Sequence, residues 1–548
     1  MESSGAERTH SLKMDGMGML PFFNVRPSTP PVSQYAMPYR PSSARRSRRR
    51  ASSSATSSPH VPSTIYSTVV RLTTYGTQHD FEMPFSVTDR FPTYGSGFFV
   101  DDQAHILTCA HCIDDASEVF VEIPTEGRRQ FKATVLGICP EFDLGMLRVE
   151  GYTNTEWCKL DERNVVRIRP GDTTMVVGYP LGESNLKQTK GIISGQQDNR
   201  YQTDAAINHG NSGGPMFRNG HVIGVNDSRM NGNVDNVGFS VPIARYFLVA
   251  DLLRQPQRIV HFPRTLGFHF QPTYPEWFEY TGSQCGRAKG RSGSRRKPST
   301  TGQRSQSQRA GLCGVHITHV YKDSVLARTG MKKGDVLCRV DGMDVDSFGE
   351  LPRRWMNQRM TLDNLRCTLP LGRRVPIEYW SSKGRKLVCT AFVMRERSLA
   401  IRKNYPMFEP LDYVVYGGMV LMPLALNHTW IYYTSKSRYV AQALRKYQYL
   451  KHMHEPSIVL SKMLQGSFLS TLQIFDDEPQ MVTAINHHPV KTLADVRTAL
   501  RTPVVRKGRK YVHVQTADDK TAVLPVDILE REEARLCQKY KYPPGGGR

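Results

Sequence analysis

Between Ser63 and Leu253 the chain repeats one pattern: a short apolar run, a turn, another short apolar run. About ten such runs follow one another, among them "TVVRLTTY", "GSGFFV", "HILTCAH", "EVFVEIP" and "DTTMVVGYP". Most span only four to seven residues, too few for helices. Their close spacing leaves no room for the helices that join parallel strands, so the pattern predicts an antiparallel sandwich or barrel. The one good helix pattern of this region comes at its end, near Ile243–Arg254.

The rest of the 548 residues divides around this unit. Residues 1–62 are rich in Ser, Pro and Arg and are expected to be a disordered basic tail. A second unit is expected over 260–398, split by a basic loop at 281–309 with eight lysines and arginines and no acid. A third is expected over 405–530, with a tail at 531–548. The second and third share an order of strand, turn, short strand and helix, which suggests two related domains. The third opens on a long apolar run, Tyr413–Tyr433. Gly417-Gly418, Pro423 and Asn427-His428 interrupt it, so it is expected to form two buried strands and no membrane span.

The formal net charge of +23 favours acidic partners, nucleic acid among them, and Arg45–Arg50 ("RRSRRR") is a dense basic cluster of the kind used as a nuclear address. A mitochondrial segment is the competing address, because residues 16–79 carry no Asp or Glu. No secretory signal stands at the start. The ten cysteines are irregularly spaced and read as mostly reduced thiols of an intracellular protein. Cys109-Ala110-His111-Cys112 lacks a second ligand pair, so no metal site is expected, and no cofactor motif is present.

One stretch carries chemistry. "TDAAINHGNSGGP" (Thr203–Pro215) sets Ser212 among Gly210, Gly213 and Gly214. It formally fits the G-x-S-x-G elbow of α/β-hydrolases, but no helix follows and a histidine stands upstream. That histidine is His111, just past the apolar strand of "ILTCAH"; Asp143 opens the strand of "DLGML". The order His111, Asp143, Ser212 is that of chymotrypsin-like peptidases. Serine needs a base, imidazole can serve as one near neutrality, and a carboxylate can hold its tautomer. The glycines then have a reason: an attacked carbonyl becomes an oxyanion that needs converging backbone N–H donors, here Gly210 and Ser212.

The blocks "GSGFFV", "ILTCAH", "DLGML", "VVGYPLG", "TDAAINHGNSGGP" and "VGFSVP", in that order, resemble the HtrA/DegP (Do-like) serine proteases over about residues 65–250. The C-terminal units resemble the PDZ domains of that family, and the whole looks nearest to its plant nuclear or nucleolar branch. The resemblance implies a mostly β fold: a trypsin-like double β-barrel followed by two PDZ-like α+β domains. It implies ATP-independent cleavage of polypeptides, damaged or unfolded ones above all, trimer-based homo-oligomers and PDZ control. By the same analogy Ala206, Ile207, Asp227, Ser228 and Arg229 would line the substrate pocket. Leu266, Gly267 and Phe268 would form a carboxylate-binding loop, with Gly417-Gly418-Met419-Val420 as its counterpart in the third unit. Two residues depart from the family pattern: Cys109, where Asn is usual, and His209, beside the oxyanion donor. The competing reading is a PDZ scaffold or holdase with a vestigial protease domain, and basic nucleic-acid binding can accompany either.

Overall fold

The structure, a computed structural model, describes residues 63–88, 91–162, 168–228, 237–283, 285, 314–352, 359–429, 444–475 and 479–543. The 1–62 tail, nearly all of the basic 281–309 loop and Arg229 lie outside the described residues.

The apolar runs of the first unit become twelve short antiparallel strands in two barrels. The first holds β1 (Val69–Gly76), β2 (Phe91–Phe99), β3 (His105–Thr108), β4 (Ala116–Glu122), β5 (Gln130–Cys139) and β6 (Leu144–Val149). They close in the order β1-β2-β3-β6-β5-β4, with β4 back on β1. The second holds β7 (Thr173–Gly178), β8 (Lys187–Gln197), β9 (Arg200–Thr203), β10 (Pro215–Arg218), β11 (His221–Asp227) and β12 (Gly238–Pro242). It closes as β10-β11-β12-β9-β8-β7.

Local sequence explains the reversals. Asp198-Asn199 joins β8 to β9 and Asn219-Gly220 joins β10 to β11, both dipeptides at positive φ, the conformation that matches strand twist in a tight hairpin. Alternation then sorts the side chains. Val70, Leu72, Phe99, Ile106 and Leu147 fill the first barrel, and Val176, Ile193, Tyr201, Met216 and Ile223 fill the second. The neighbours of these residues along the strands, Phe98, Leu107, Val177, Phe217 and Val222, belong to the apolar mass shared by both barrels. The expected helix is present as Ala244–Leu253 and packs back on β5 and β6.

The second unit is an antiparallel sheet with Phe268–Gln271 at one edge and Lys386–Val393 at the other. Gly267 lies at φ +83° and Leu266 and Phe268 are buried, so this segment enters the edge strand directly. One cysteine pair departs from the expectation of reduced thiols: Cys285 is bridged to Cys338 on Val336–Val340.

The third unit corrects the sequence reading twice. Gly417-Gly418 is the turn of a two-residue hairpin between Val414–Tyr416 and Met419–Pro423, not an open carboxylate loop. Leu529 and Ser467 occupy the space beside the two glycines. Nor does a tail begin at 531, because the helix Val526–Tyr540 continues through it, burying Leu529 and Leu536. The amphipathic spacing of those leucines, seven residues apart, carried that signal.

The apolar run at Tyr413 is explained by burial on both faces of the sheet. Val414, Tyr416, Met419 and Leu421 face the unit's own helices. Val415, Val420 and Met422 face a second cluster, which contains Phe81 from the β1–β2 connection and Leu399 and Ile401 from the inter-unit linker. Glu82 fastens this connection: its carboxylate meets Lys462 Nζ at 2.6 Å and its carbonyl accepts from Ser461 Oγ at 3.0 Å. The third unit is therefore packed against the first. No helix among the described residues is long and apolar enough to cross a membrane.

Candidate active site

His111 sits on a single 3-10 turn, Ala110–Cys112, directly after β3. Asp143 closes the turn between β5 and β6 at φ +57°, a conformation aspartate tolerates better than most residues. Because β3 pairs with β6, Thr108 opposite Gly145, the two turns lie side by side. His111 Nδ1 is 2.9 Å from Asp143 Oδ2 and 3.1 Å from Oδ1, and the His111 backbone N–H donates to Oδ1 at 3.1 Å. The Asp143 side chain is almost fully buried and that of His111 is 19% exposed. Burial by itself disfavours the imidazolium, but the charge and hydrogen bond of Asp143 outweigh it and raise the His111 pKa above its ordinary value. Cys109, the departure from the family pattern, is buried behind this pair and donates from Sγ to the Asn226 carbonyl at 3.1 Å. Burial drives its thiol pKa well up, so it is a neutral packing residue here.

Ser212 precedes β10 in a loop that only glycines can make. Gly210 and Gly213 lie at φ +92° and +85°, and a β-carbon on either would collide with the carbonyls of Tyr179 and Ser96 respectively. The loop is pinned across the barrel interface by Ser96 of β2, whose N–H donates to the Ser212 carbonyl at 2.8 Å. Ser96 Oγ donates to the Gly210 carbonyl at 2.7 Å and accepts from the Tyr179 N–H at 2.9 Å. Sequence reasoning missed Ser96. Its signal was a lone small polar residue between two glycines in "GSG".

The Gly210 N–H is aimed by the peptide that joins His209 to Gly210. The His209 carbonyl accepts the Leu181 N–H at 2.6 Å, which in a trans peptide turns the Gly210 N–H the opposite way. His209 itself is exposed. Among the described residues, neither the Gly210 nor the Ser212 N–H has a protein acceptor, as an anion-receiving pair requires.

Ser212 Oγ is hydrogen-bonded to Ser228 and not to His111. It lies 2.6 Å from Ser228 Oγ and accepts the Ser228 N–H at 3.1 Å. The other expected pocket residues are placed unevenly. Ala206 is exposed, while Ile207 is 3% exposed and belongs to the second barrel's core. Asp227 is fully buried and its Oδ2 is paired with Arg200 at 3.1 Å, so its charge is already neutralised. Arg229 is outside the described residues.

Two antiparallel barrels with an Asp-bound histidine and a glycine-framed serine at their seam define a trypsin-like serine peptidase domain, here joined to PDZ domains. Trypsin-like peptidase domains match residues 95–225 and PDZ domains match residues 403–544. The chain is 31% identical over 270 residues to a probable periplasmic serine endoprotease DegP-like of Halomonas elongata, which covers 47% of this chain and 50% of that one. It is 31% identical over 286 residues to the putative serine protease HhoB of Synechocystis sp., covering 50% and 62%. With the periplasmic serine endoprotease DegP of Escherichia coli it shares 28% over 277 residues, covering 48% and 51%. These likenesses are to DegP-type and related serine proteases, each over about half of this chain. The chain spans about half the length of the first of these relatives.

Proposed function

We propose that the protein is a serine endopeptidase that cleaves polypeptides, unfolded or damaged ones above all, without ATP. Ser212 Oγ attacks the scissile carbonyl and His111 takes its proton. Asp143 holds Nδ1 and thereby leaves Nε2 facing the reaction. The Gly210 and Ser212 N–H groups receive the oxyanion of the tetrahedral intermediate. His111 then returns the proton to the leaving amine, and water releases the acyl group by the same steps in reverse order. The PDZ domains bind or present substrate. Ser212 must first turn from Ser228 towards His111, so the arrangement described is a resting one.

The observation that carries this reading is the conjunction of the His111–Asp143 pair with two acceptor-free N–H groups flanking Ser212. A vestigial domain has no need to keep both. The competing scaffold reading and this one separate in a single experiment. Full-length protein treated with a fluorophosphonate probe is expected to be labelled at Ser212, and an unfolded protein substrate to be degraded. Ser212→Ala abolishes both, with turnover falling on the order of 10⁶-fold. Absence of labelling in every assembly state would leave the scaffold reading standing. A trimer-based assembly and a nuclear address at Arg45–Arg50 accompany the proposal and are checked by solution mass and by relocation of a chain lacking residues 45–50.

A further inference from the structure

The linker between the second and third units reaches the back of the His111 turn. Lys403 Nζ meets Asp114 Oδ2 at 2.6 Å, and Asp114 is three residues past His111, with its side chain 11% exposed. Two residues further along the linker, Tyr405 is 7% exposed. Its ring belongs to the cluster that contains Ala110, Ile113 and Ala116, the apolar residues on both sides of the His111 turn. Lys403 Nζ lies 4.9 Å from that ring's centroid, so charge and ring support each other.

The hook is rigid for local reasons. Arg402 grips the Glu409 carboxylate with two bonds, at 2.6 and 2.5 Å, and the same carboxylate accepts the Tyr405 N–H at 2.9 Å. The hook is also tied to the third unit. Asn404 and Asn427 exchange two bonds, at 2.8 and 3.1 Å, and the Leu426 N–H donates to the Arg402 carbonyl at 3.0 Å. The Ile401 N–H donates to the Met453 carbonyl at 3.0 Å. One five-residue stretch thus joins the third unit to the catalytic histidine's turn.

A single 3-10 turn has little rigidity of its own. Ala110–Cys112 must hold the imidazole to within a fraction of an ångström for proton transfer. We infer that Lys403 and Tyr405 are positioning residues for His111: the inter-unit linker braces the turn from behind, so that seating of the third unit sets the geometry of the catalytic base. This rests on the peptidase reading of the site.

The test uses the full chain with Lys403→Asp, the exchanged pair Lys403→Asp/Asp114→Lys, Tyr405→Ala and Tyr405→Phe. In Lys403→Asp, kcat on a peptide substrate is expected to fall roughly 10- to 100-fold with KM little changed. The exchanged pair restores most of it. Tyr405→Phe, which keeps the buried ring, retains most of what Tyr405→Ala loses. Amide hydrogen exchange at residues 110–114 accelerates in Lys403→Asp and returns towards wild type in the exchanged pair. Unchanged kcat together with unchanged exchange in Lys403→Asp overturns the proposal, as does a loss that the exchanged pair fails to restore. If the wild type neither labels nor cleaves, the peptidase reading fails by itself. The exchange comparison then still decides the brace.

Discussion

Ser212 Oγ is 2.6 Å from Ser228 Oγ, and it is Ser228, not His111, that holds the nucleophile. Ser228 follows β11 directly, so the residue that ends this strand of the second barrel is the one bonded to Ser212.

Ser228→Ala removes the Oγ–Oγ bond and leaves the Ser228 N–H in place. A hydrogen bond of this kind contributes about 1 kcal/mol net, so fluorophosphonate labelling of Ser212 is expected to rise roughly fivefold. Second-order labelling rates of wild type and variant measure it. A slower variant would mean that Ser228 serves the reaction and does not restrain it.

Ser96→Ala removes the hydroxyl that joins the Gly210 carbonyl to the Tyr179 N–H. Both backbone groups would be left without that partner in a buried place, at about 1–3 kcal/mol each. The peptide that aims the Gly210 N–H loses its anchor. A loss of 10- to 100-fold in kcat is expected, with KM nearly constant, since the oxyanion is bound only during reaction. Steady-state kinetics on one peptide substrate check the split.

His428 makes the packing of the third unit acid-sensitive. It is fully buried, accepts the Ala425 N–H at Nδ1 at 3.1 Å and meets the Phe81 ring edge-on at 5.4 Å. Burial lowers its pKa from 6.5 to about 4. The unfolded chain then binds a proton that the folded chain refuses. Stability from the neutral ring is full above pH 6.5 and is lost progressively as pH falls towards 4, by about 3 kcal/mol in total. Melting temperatures between pH 7 and 4 should fall less steeply in His428→Phe than in wild type. Parallel slopes would reject the assignment.

Much of the catalytic domain was legible before folding. The antiparallel class and the helix after β12 follow from run length and turn chemistry, which are local, while about ten strands were expected where twelve form. The pairing of His111 with Asp143 was legible because each stands where a strand meets a loop; the expected bond from Ser212 to His111 is replaced by one to Ser228. Ser96 was not legible. Its role depends on β2 lying across the barrel seam from the nucleophile loop, and nothing within its own neighbourhood announces that. Asp227 and Ile207 were read as pocket walls, but the barrel's closure turns one towards Arg200 and the other into the core.

The apolar character of Val414–Met422 on both sides of its glycine pair was visible in the sequence, and its cause was not. Two faces of one sheet had to find two partners, and the second partner comes from over three hundred residues away, at Phe81. The same holds for Lys403 and Tyr405, a lysine and a tyrosine in an unremarkable linker until the fold sets them behind Asp114 and Ala110. Sequence by itself determined most of the elements and the loops that carry His111, Asp143 and Ser212, because propensity, alternation and glycine geometry act over a few residues. Tertiary structure decided which distant side chains hold the serine, brace the histidine and seal the third unit, because packing and ion pairing act through space and leave no local mark.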